Sequence, residues 1–128
     1  MVKLHWANGQ NALSNEVGVQ INGSKTPNLQ GFSPRELLEA SVALCVSITL
    51  ESILERDQST ADKNEIQVDV TASKAEGIKN RFTDFDVVVT FPHTLDENYK
   101  KKLEKSIERG CTVSNTLKGD VSVRLQGK

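Results

Sequence analysis

The chain of 128 residues has the commonest size of a single domain and is too short for two ordinary hydrophobic cores, so we expect one domain over residues 1–128. Sixteen Lys and Arg residues nearly balance seventeen Asp and Glu residues, which leaves a formal net charge of −1 at pH 7. This balance gives no broad charge field of the kind that attracts nucleic acid or an anionic membrane, so we expect neither as a partner.

The first third of the chain has the pattern of β-strands. Apolar and polar residues alternate from Val2 to Trp6, and the Asn8-Gly9 pair that follows predicts a tight hairpin turn. The alternation returns from Val17 to Ile21, where Asn22-Gly23 predicts a second turn. Residues 24–32 are polar and contain Pro27 and Gly31, which predicts a loop.

A long helix is predicted to begin at Ser33. Ser33 suits the N-cap, Pro34 the first helical position, and Glu36 completes a capping box. From Leu37 to Leu54 apolar residues cover most of the helix circumference, so we expect burial on nearly all sides. A domain this small can hardly enclose such a helix alone, which favours a second subunit that covers part of it.

The chain shows no sign of a membrane span or a secretion signal. Residues 1–10 lack an apolar signal segment, and the long apolar run is interrupted by Glu39, Ser41, Ser47 and Thr49. We therefore expect a cytoplasmic protein.

The second half alternates between strand and helix patterns. Residues 66–70 and 85–91 predict two strands of an antiparallel hairpin. Thr94 and Glu97 predict a second capping box and helix, whose apolar face would be formed by Leu95, Tyr99, Leu103 and Ile107. Gly110 would end that helix, residues 112–119 predict a short helix, and residues 121–125 predict a closing strand. The fold class is α+β.

Most patterns that accompany enzyme chemistry are absent. The sequence has no phosphate-binding P-loop and no G-x-G-x-x-G motif after a strand. Its histidines, His5 and His93, are not spaced with Cys45 and Cys111 like a known zinc pair. We therefore expect neither a metal nor a cofactor.

The two cysteines are the remaining candidates for chemistry. Cys45 lies about three turns inside the long helix, so the helix dipole activates it little, and a buried packing role is an alternative. Cys111 follows Gly110 at a helix start, where backbone amides favour a thiolate, and packing is an alternative there too. Together they have the placement of a peroxidatic and a resolving cysteine, which attack a peroxide and then form a disulfide.

Two segments carry a family resemblance: SPRELLEASVALC, which ends at Cys45, and CTVSNTLKGDVSV, which begins at Cys111. In these segments, and in the order of its elements, the chain resembles the OsmC/Ohr family of osmotically inducible and organic hydroperoxide resistance proteins. The SPxEL form resembles most closely the YhfA-like branch of that family. The resemblance implies an OsmC-like fold, with antiparallel sheets around a long buried central helix, and an intertwined homodimer.

The resemblance also implies an activity, a peroxiredoxin-type, thiol-dependent reduction of small organic hydroperoxides. Cys45 would attack the peroxide, Cys111 would resolve the oxidised product, and a thiol reductant would restore both. In the peroxidases of the family a carboxylate directly follows the proline and orients an activating arginine from the N-terminal hairpin. Here Arg35 has the carboxylate position, Glu36 comes one residue later, and the first hairpin lacks arginine.

These departures leave several interpretations open. Glu36 can be explained by capping alone and Arg35 as an exposed first-turn side chain, or Arg35, Arg81 or Arg109 can replace the missing cation across a dimer interface. An alternative function is a non-catalytic OsmC-like dimer that binds a small apolar molecule or senses oxidants. A purely structural dimer is a third.

Overall fold

A computed structural model describes all residues, 1–128, and divides the chain into two compact units, residues 1–40 and 41–128. The elements in chain order are β1 Lys3–Ala7, β2 Gln10–Ser14, β3 Gln20–Gly23, α1 Pro34–Arg56, a 3-10 turn Lys63–Glu65, β4 Gln67–Ser73, β5 Asp84–Thr90, α2 Glu97–Gly110 and α3 Thr112–Lys118. Helix α1 begins in the first unit and continues into the second. The predicted α+β class with antiparallel sheets is confirmed.

The first unit contains a three-stranded antiparallel sheet in the order β1-β2-β3. The turn between β1 and β2 is formed by Asn8 at φ 52° and Gly9 at φ 74°. Positive φ at both central residues is the geometry that matches the right-handed twist of paired strands, and Asn-Gly adopts it at low cost. The first predicted hairpin is therefore confirmed.

The second predicted turn, at Asn22-Gly23, is wrong. Both residues lie in β3, where Asn22 is paired with Ala12, and the chain reverses instead between Asn15 and Val19. The Asn15 side chain accepts hydrogen bonds from the amides of Val17 at 3.2 Å and Val19 at 2.9 Å. These bonds fix the turn before the chain reaches the second Asn-Gly pair.

The start of α1 is confirmed in detail. The Ser33 amide donates to Glu36 Oε1 at 2.8 Å, and the Glu36 amide donates to Ser33 Oγ at 3.3 Å, which is the reciprocal capping box. These bonds, the amide contact first, hold the pKa of the Glu36 carboxyl below its ordinary value. Ser33 itself is buried, whereas Glu36 is partly exposed.

The second unit has its core between α1 and α2, with the β4-β5 hairpin packed against it. Buried side chains of this core include Val42, Val46, Leu50 and Leu54 from α1 and Leu103, Ile107 and Cys111 from the C-terminal part of the chain. Leu103 and Ile107 lie on the predicted apolar face of α2. The short helix α3 follows α2 after a single residue, as its pattern predicts.

Two expectations for this unit are wrong. The cap of α2 is Asp96, whose side chain accepts from the Tyr99 amide at 2.8 Å, because the preceding turn from Pro92 to Leu95 already contains Thr94. Residues 121–125 form no strand in the single chain, where nothing pairs with their backbone. In the single chain, α1 leaves one apolar face open, where Leu44 is 62% exposed and Ile48 is 53% exposed. Burial of that face by a second subunit stays a prediction.

Helix α1 also satisfies, by length and composition alone, the criteria for a membrane-crossing helix. The core helix of a water-soluble protein passes the same criteria, so they are weak evidence for a membrane span. Its residues Val42, Val46, Leu50 and Leu54 are already packed against protein in the core of the second unit.

Candidate functional site

The fold brings the two cysteines together. Cys45 lies in the middle of α1, and Cys111 lies between the end of α2 and the start of α3. Both are free thiols; Cys45 is partly exposed, whereas Cys111 is fully buried. Cys45 packs against the buried cluster that contains Cys111, and its thiol is among the groups that lower the pKa of Cys111. A pair of neighbouring free thiols, one of them accessible, is able to form a disulfide when one is oxidised and the two sulfurs meet.

Gly110 allows α2 to approach α1 beside this thiol pair. A β-carbon at Gly110 would stand 3.3 Å from Thr49 Cγ2, tighter than an ordinary contact, so a side chain there would push the two helices apart. Thr49 is also tied to the cysteine turn, because its hydroxyl donates to the Cys45 carbonyl oxygen at 2.8 Å. Gly110 therefore contributes to the contact between Cys45 and Cys111 as well as ending α2.

The surroundings of Cys111 favour its thiolate. Burial by itself raises the pKa of the Cys111 thiol, because a charge loses its hydration in the core. The Ser114 hydroxyl, the backbone amides of Ser114 and Val113 and the Cys45 thiol outweigh burial and hold that pKa below its ordinary value. The Ser114 hydroxyl donates to the sulfur over 3.1 Å. Hydrogen-bond donors supply this effect, and no guanidinium is among the groups that act on the sulfur.

A cavity of about 550 Å³ lies beside α3, which begins directly after Cys111. Its wall is mostly apolar and comes from α1, β5, α2 and α3, with side chains that include Val42, Val46, Phe85, Val89, Phe91 and Ile107. Ser114, the hydrogen-bond donor to Cys111, also lines it. Glu104, Glu108 and Lys118 are exposed side chains at its edge. The cavity has the size and lining of a site for a small apolar molecule.

Arg35 and Glu36 are both engaged at the start of α1. Arg35 Nε lies 3.8 Å from Glu39 Oε1, one turn along the helix, and Glu36 forms the capping box with Ser33. The capping interpretation of Glu36 therefore has direct support. A catalytic contribution from Arg35, or from Arg81 or Arg109 in its place, stays a prediction.

Ser114 and the cavity were not predicted from the sequence. The signal for Ser114 was its spacing, because a side chain three residues after a helix N-cap residue faces that residue's side chain. The cavity had no sequence signal of its own. Its lining comes from four elements whose mutual packing a single sequence does not reveal.

The sequence model of the family described as OsmC-like protein matches residues 24–126. No curated protein matches the chain significantly.

Several solved structures share the fold. An OsmC-like protein from Mycoplasma pneumoniae has a TM-score of 0.77 at 16% identity, over 93% of this chain and 86% of the other. An organic hydroperoxide resistance protein OsmC from Legionella pneumophila has a TM-score of 0.67 at 15% identity, over 93% and 88%. The organic hydroperoxide resistance protein OhrB of Bacillus subtilis has a TM-score of 0.60 at 22% identity, over 98% and 96%.

Proposed function

Because the chain belongs to the OsmC-like protein family, we propose that it reduces small organic hydroperoxides with the thiols of Cys45 and Cys111. The observation that carries this proposal is that the partly exposed Cys45 packs against the buried cluster that contains the second free thiol, Cys111. Ser114, which hydrogen-bonds Cys111, also lines an apolar cavity. Relatives of the same fold are described as organic hydroperoxide resistance proteins, which agrees with this chemistry. The cavity would hold the organic part of the peroxide.

The reaction consists of two steps on the protein. The Cys45 thiolate attacks the outer peroxide oxygen, the O–O bond breaks, and the alkoxide takes a proton and leaves as an alcohol. Cys45 is then a sulfenic acid. The Cys111 thiolate attacks that sulfur, the S–O bond breaks, and hydroxide leaves as water after taking a proton. Two equivalents of an external thiol reduce the resulting disulfide and restore both cysteines.

Cys45 is the better candidate for the attacking residue because a peroxide must reach it. Cys45 is partly exposed, whereas Cys111 has no exposed surface. The lowered pKa of Cys111 suits the second step, in which a buried thiolate attacks a neighbouring sulfur. The proposed roles therefore follow the accessibility of the two thiols.

Single substitutions test these roles. Cys45→Ser should abolish peroxide turnover, and Cys111→Ser should leave a sulfenic acid trapped on Cys45, detectable by a dimedone adduct in the mass spectrum. Equal residual turnover in the two variants would contradict the assigned roles. Far-ultraviolet circular dichroism of both variants checks that the fold is retained.

We also propose that the protein acts as a homodimer in the cytoplasm. Leu44 and Ile48 leave an apolar face of α1 exposed, and residues 121–125 have a strand pattern but no partner strand. Val121, Val123 and Leu125 are all exposed there. A second subunit that covers the face and pairs with this segment would account for both features. The free thiols suit a reducing compartment.

A second function has support from the same site. In the peroxidases of the family an arginine held by a carboxylate activates the attacking thiol. Here Glu36 caps α1 and Arg35 pairs with Glu39, so neither residue takes part in such an arrangement in the single chain. A non-catalytic dimer that binds a small apolar molecule in the cavity, or senses oxidants, would need no such activation. Steady turnover of cumene hydroperoxide with excess dithiothreitol supports the enzyme, whereas one oxidation without turnover supports the sensor.

A further inference from the structure

Ser114 connects the cavity to the buried thiol. It lies in the first turn of α3, borders the cavity, and donates its hydroxyl proton to Cys111 Sγ across 3.1 Å. Cys111 is fully buried, so water does not solvate its sulfur when it becomes charged. Among side-chain hydroxyl groups, that of Ser114 is the one that hydrogen-bonds this sulfur. The protein therefore replaces lost hydration with a fixed donor.

We infer that Ser114 is a positioning residue that stabilises the Cys111 thiolate, both when Cys111 attacks oxidised Cys45 and when it leaves the disulfide. This inference rests on the proposed function for its role in turnover. The hydrogen bond itself and its effect on the thiol do not depend on peroxide chemistry.

The hydrogen bond acts on Cys111 as the nucleophile in one half of the cycle and as the leaving group in the other: it raises the thiolate fraction before resolution and stabilises the departing thiolate in reduction. In resolution the Cys111 thiolate forms the S–S bond while the S–O bond of Cys45 breaks and water is released. In reduction an external thiolate attacks the accessible Cys45 sulfur, the S–S bond breaks, and the electron pair passes to Cys111 sulfur. A second external thiol then releases Cys45 from the mixed disulfide. Cys111 is thus the leaving group, and a stabilised thiolate leaves faster.

The hydrogen bond from Ser114 to Cys111 should also shift the reduction potential of the Cys45–Cys111 couple. A donor that stabilises the reduced thiolate makes a disulfide more oxidising, because the reduced state is favoured. Ser114 should therefore raise the potential of the Cys45–Cys111 couple. Its removal should make the disulfide harder to reduce.

The experiment compares Ser114→Ala and Ser114→Thr with the unsubstituted protein. Thiolate absorbance against pH, in a Cys45→Ser background, reports Cys111 alone, and equilibration with glutathione buffers in the two-cysteine protein reports the potential. Thr116→Val is a matched control, because Thr116 is in the same helix but donates to the Thr112 carbonyl oxygen at 2.9 Å.

We expect Ser114→Ala to raise the pKa of Cys111, lower the potential and slow disulfide reduction by dithiothreitol about tenfold to a hundredfold, since hydrogen bonds to charged groups have this strength. Ser114→Thr keeps the hydroxyl and should stay near the unsubstituted protein, as should Thr116→Val. An unchanged pKa and potential in folded Ser114→Ala, or equal values in Ser114→Ala and Ser114→Thr, would overturn the inference. Failure of the proposed peroxidase would leave both measurements intact, so the two failures are distinguishable.

Discussion

The exposed face of α1 gives a quantitative prediction about assembly. Leu44 is 62% exposed and Ile48 is 53% exposed, one helical turn apart. Burying a leucine or isoleucine completely contributes about 1.5–3 kcal/mol. Covering what remains exposed would contribute about 2–3 kcal/mol per subunit, and about 3–7 kcal/mol when a symmetric partner buries its own copies.

The perturbation is the double substitution Leu44→Glu with Ile48→Glu. It removes this contribution and places carboxylates from both subunits in one interface, where like charges repel. The dimer dissociation constant should rise about a hundredfold to a hundred-thousandfold. Because these side chains are exposed in the single chain, the substitutions should not disturb the core formed by Val42, Val46 and Leu50.

Sedimentation equilibrium over a range of protein concentrations measures the effect directly. Val17→Glu is the control. Val17 is an apolar side chain that is 84% exposed in the turn between β2 and β3, and this substitution introduces the same charged group. The unsubstituted protein and this control should be dimers whose Tm rises with concentration. A double variant that keeps the dimer, or an unsubstituted protein that is monomeric at all concentrations, would refute the reasoning.

Three further predictions concern packing, titration and substrate charge. Gly110→Val should destabilise the protein by about 1–3 kcal/mol in urea unfolding, because its β-carbon would crowd Thr49 Cγ2 from 3.3 Å, and an unchanged midpoint would argue against this packing. The Tyr99 hydroxyl donates to Asp57 Oδ2 at 2.7 Å. Burial first, and then this hydrogen bond, raise the pKa of Tyr99 to about 12. The stability that the protonated tyrosine contributes to the fold is therefore present below about pH 10 and lost as pH rises through about 12. Phenolate absorbance of this single tyrosine should show that pKa, and Asp57→Asn should lower it; an unshifted titration would count against the contact. Glu108→Gln at the cavity edge should raise kcat/KM for a fatty acid hydroperoxide, but not for neutral cumene hydroperoxide, by up to about fivefold, and an equal change for both would disfavour a charge effect.

Local sequence signals were sufficient to predict turns and helix starts that depend on neighbouring residues. Asn8-Gly9 and the Ser33–Glu36 capping box depend on residues within a few positions of each other, and both are formed as expected. The second Asn-Gly pair failed because Asn15 offers a competing turn earlier in the chain. Local chemistry indicates where a turn is allowed, whereas strand pairing decides which allowed turn is used.

Long-range features could not be predicted in the same way. The pattern of residues 121–125 suits a strand, but a strand exists only when another backbone pairs with it, and the single chain provides none. The extent to which α1 is buried likewise depends on what surrounds it. The apolar circumference of the helix predicted that one small domain would not enclose it, but not that the open face would be the one with Leu44 and Ile48.

The candidate site shows the same division. The sequence identified Cys45 and Cys111 as the residues capable of chemistry, but their proximity depends on how α2 packs against α1, where Gly110 lies close to Thr49. Ser114 escaped notice because a serine in a short helix has many ordinary roles. Its importance depends on the burial of the sulfur to which it donates, which only the fold determines.

The central proposal is that Cys45 and Cys111 act as one redox pair toward organic hydroperoxides. The most direct measurement adds one equivalent of cumene hydroperoxide to the reduced protein and follows both thiols, the alcohol product and the peptide map. We expect one alcohol formed per subunit, both thiols lost, and a disulfide that joins Cys45 to Cys111. A folded protein that retains both thiols after this treatment would contradict the proposal.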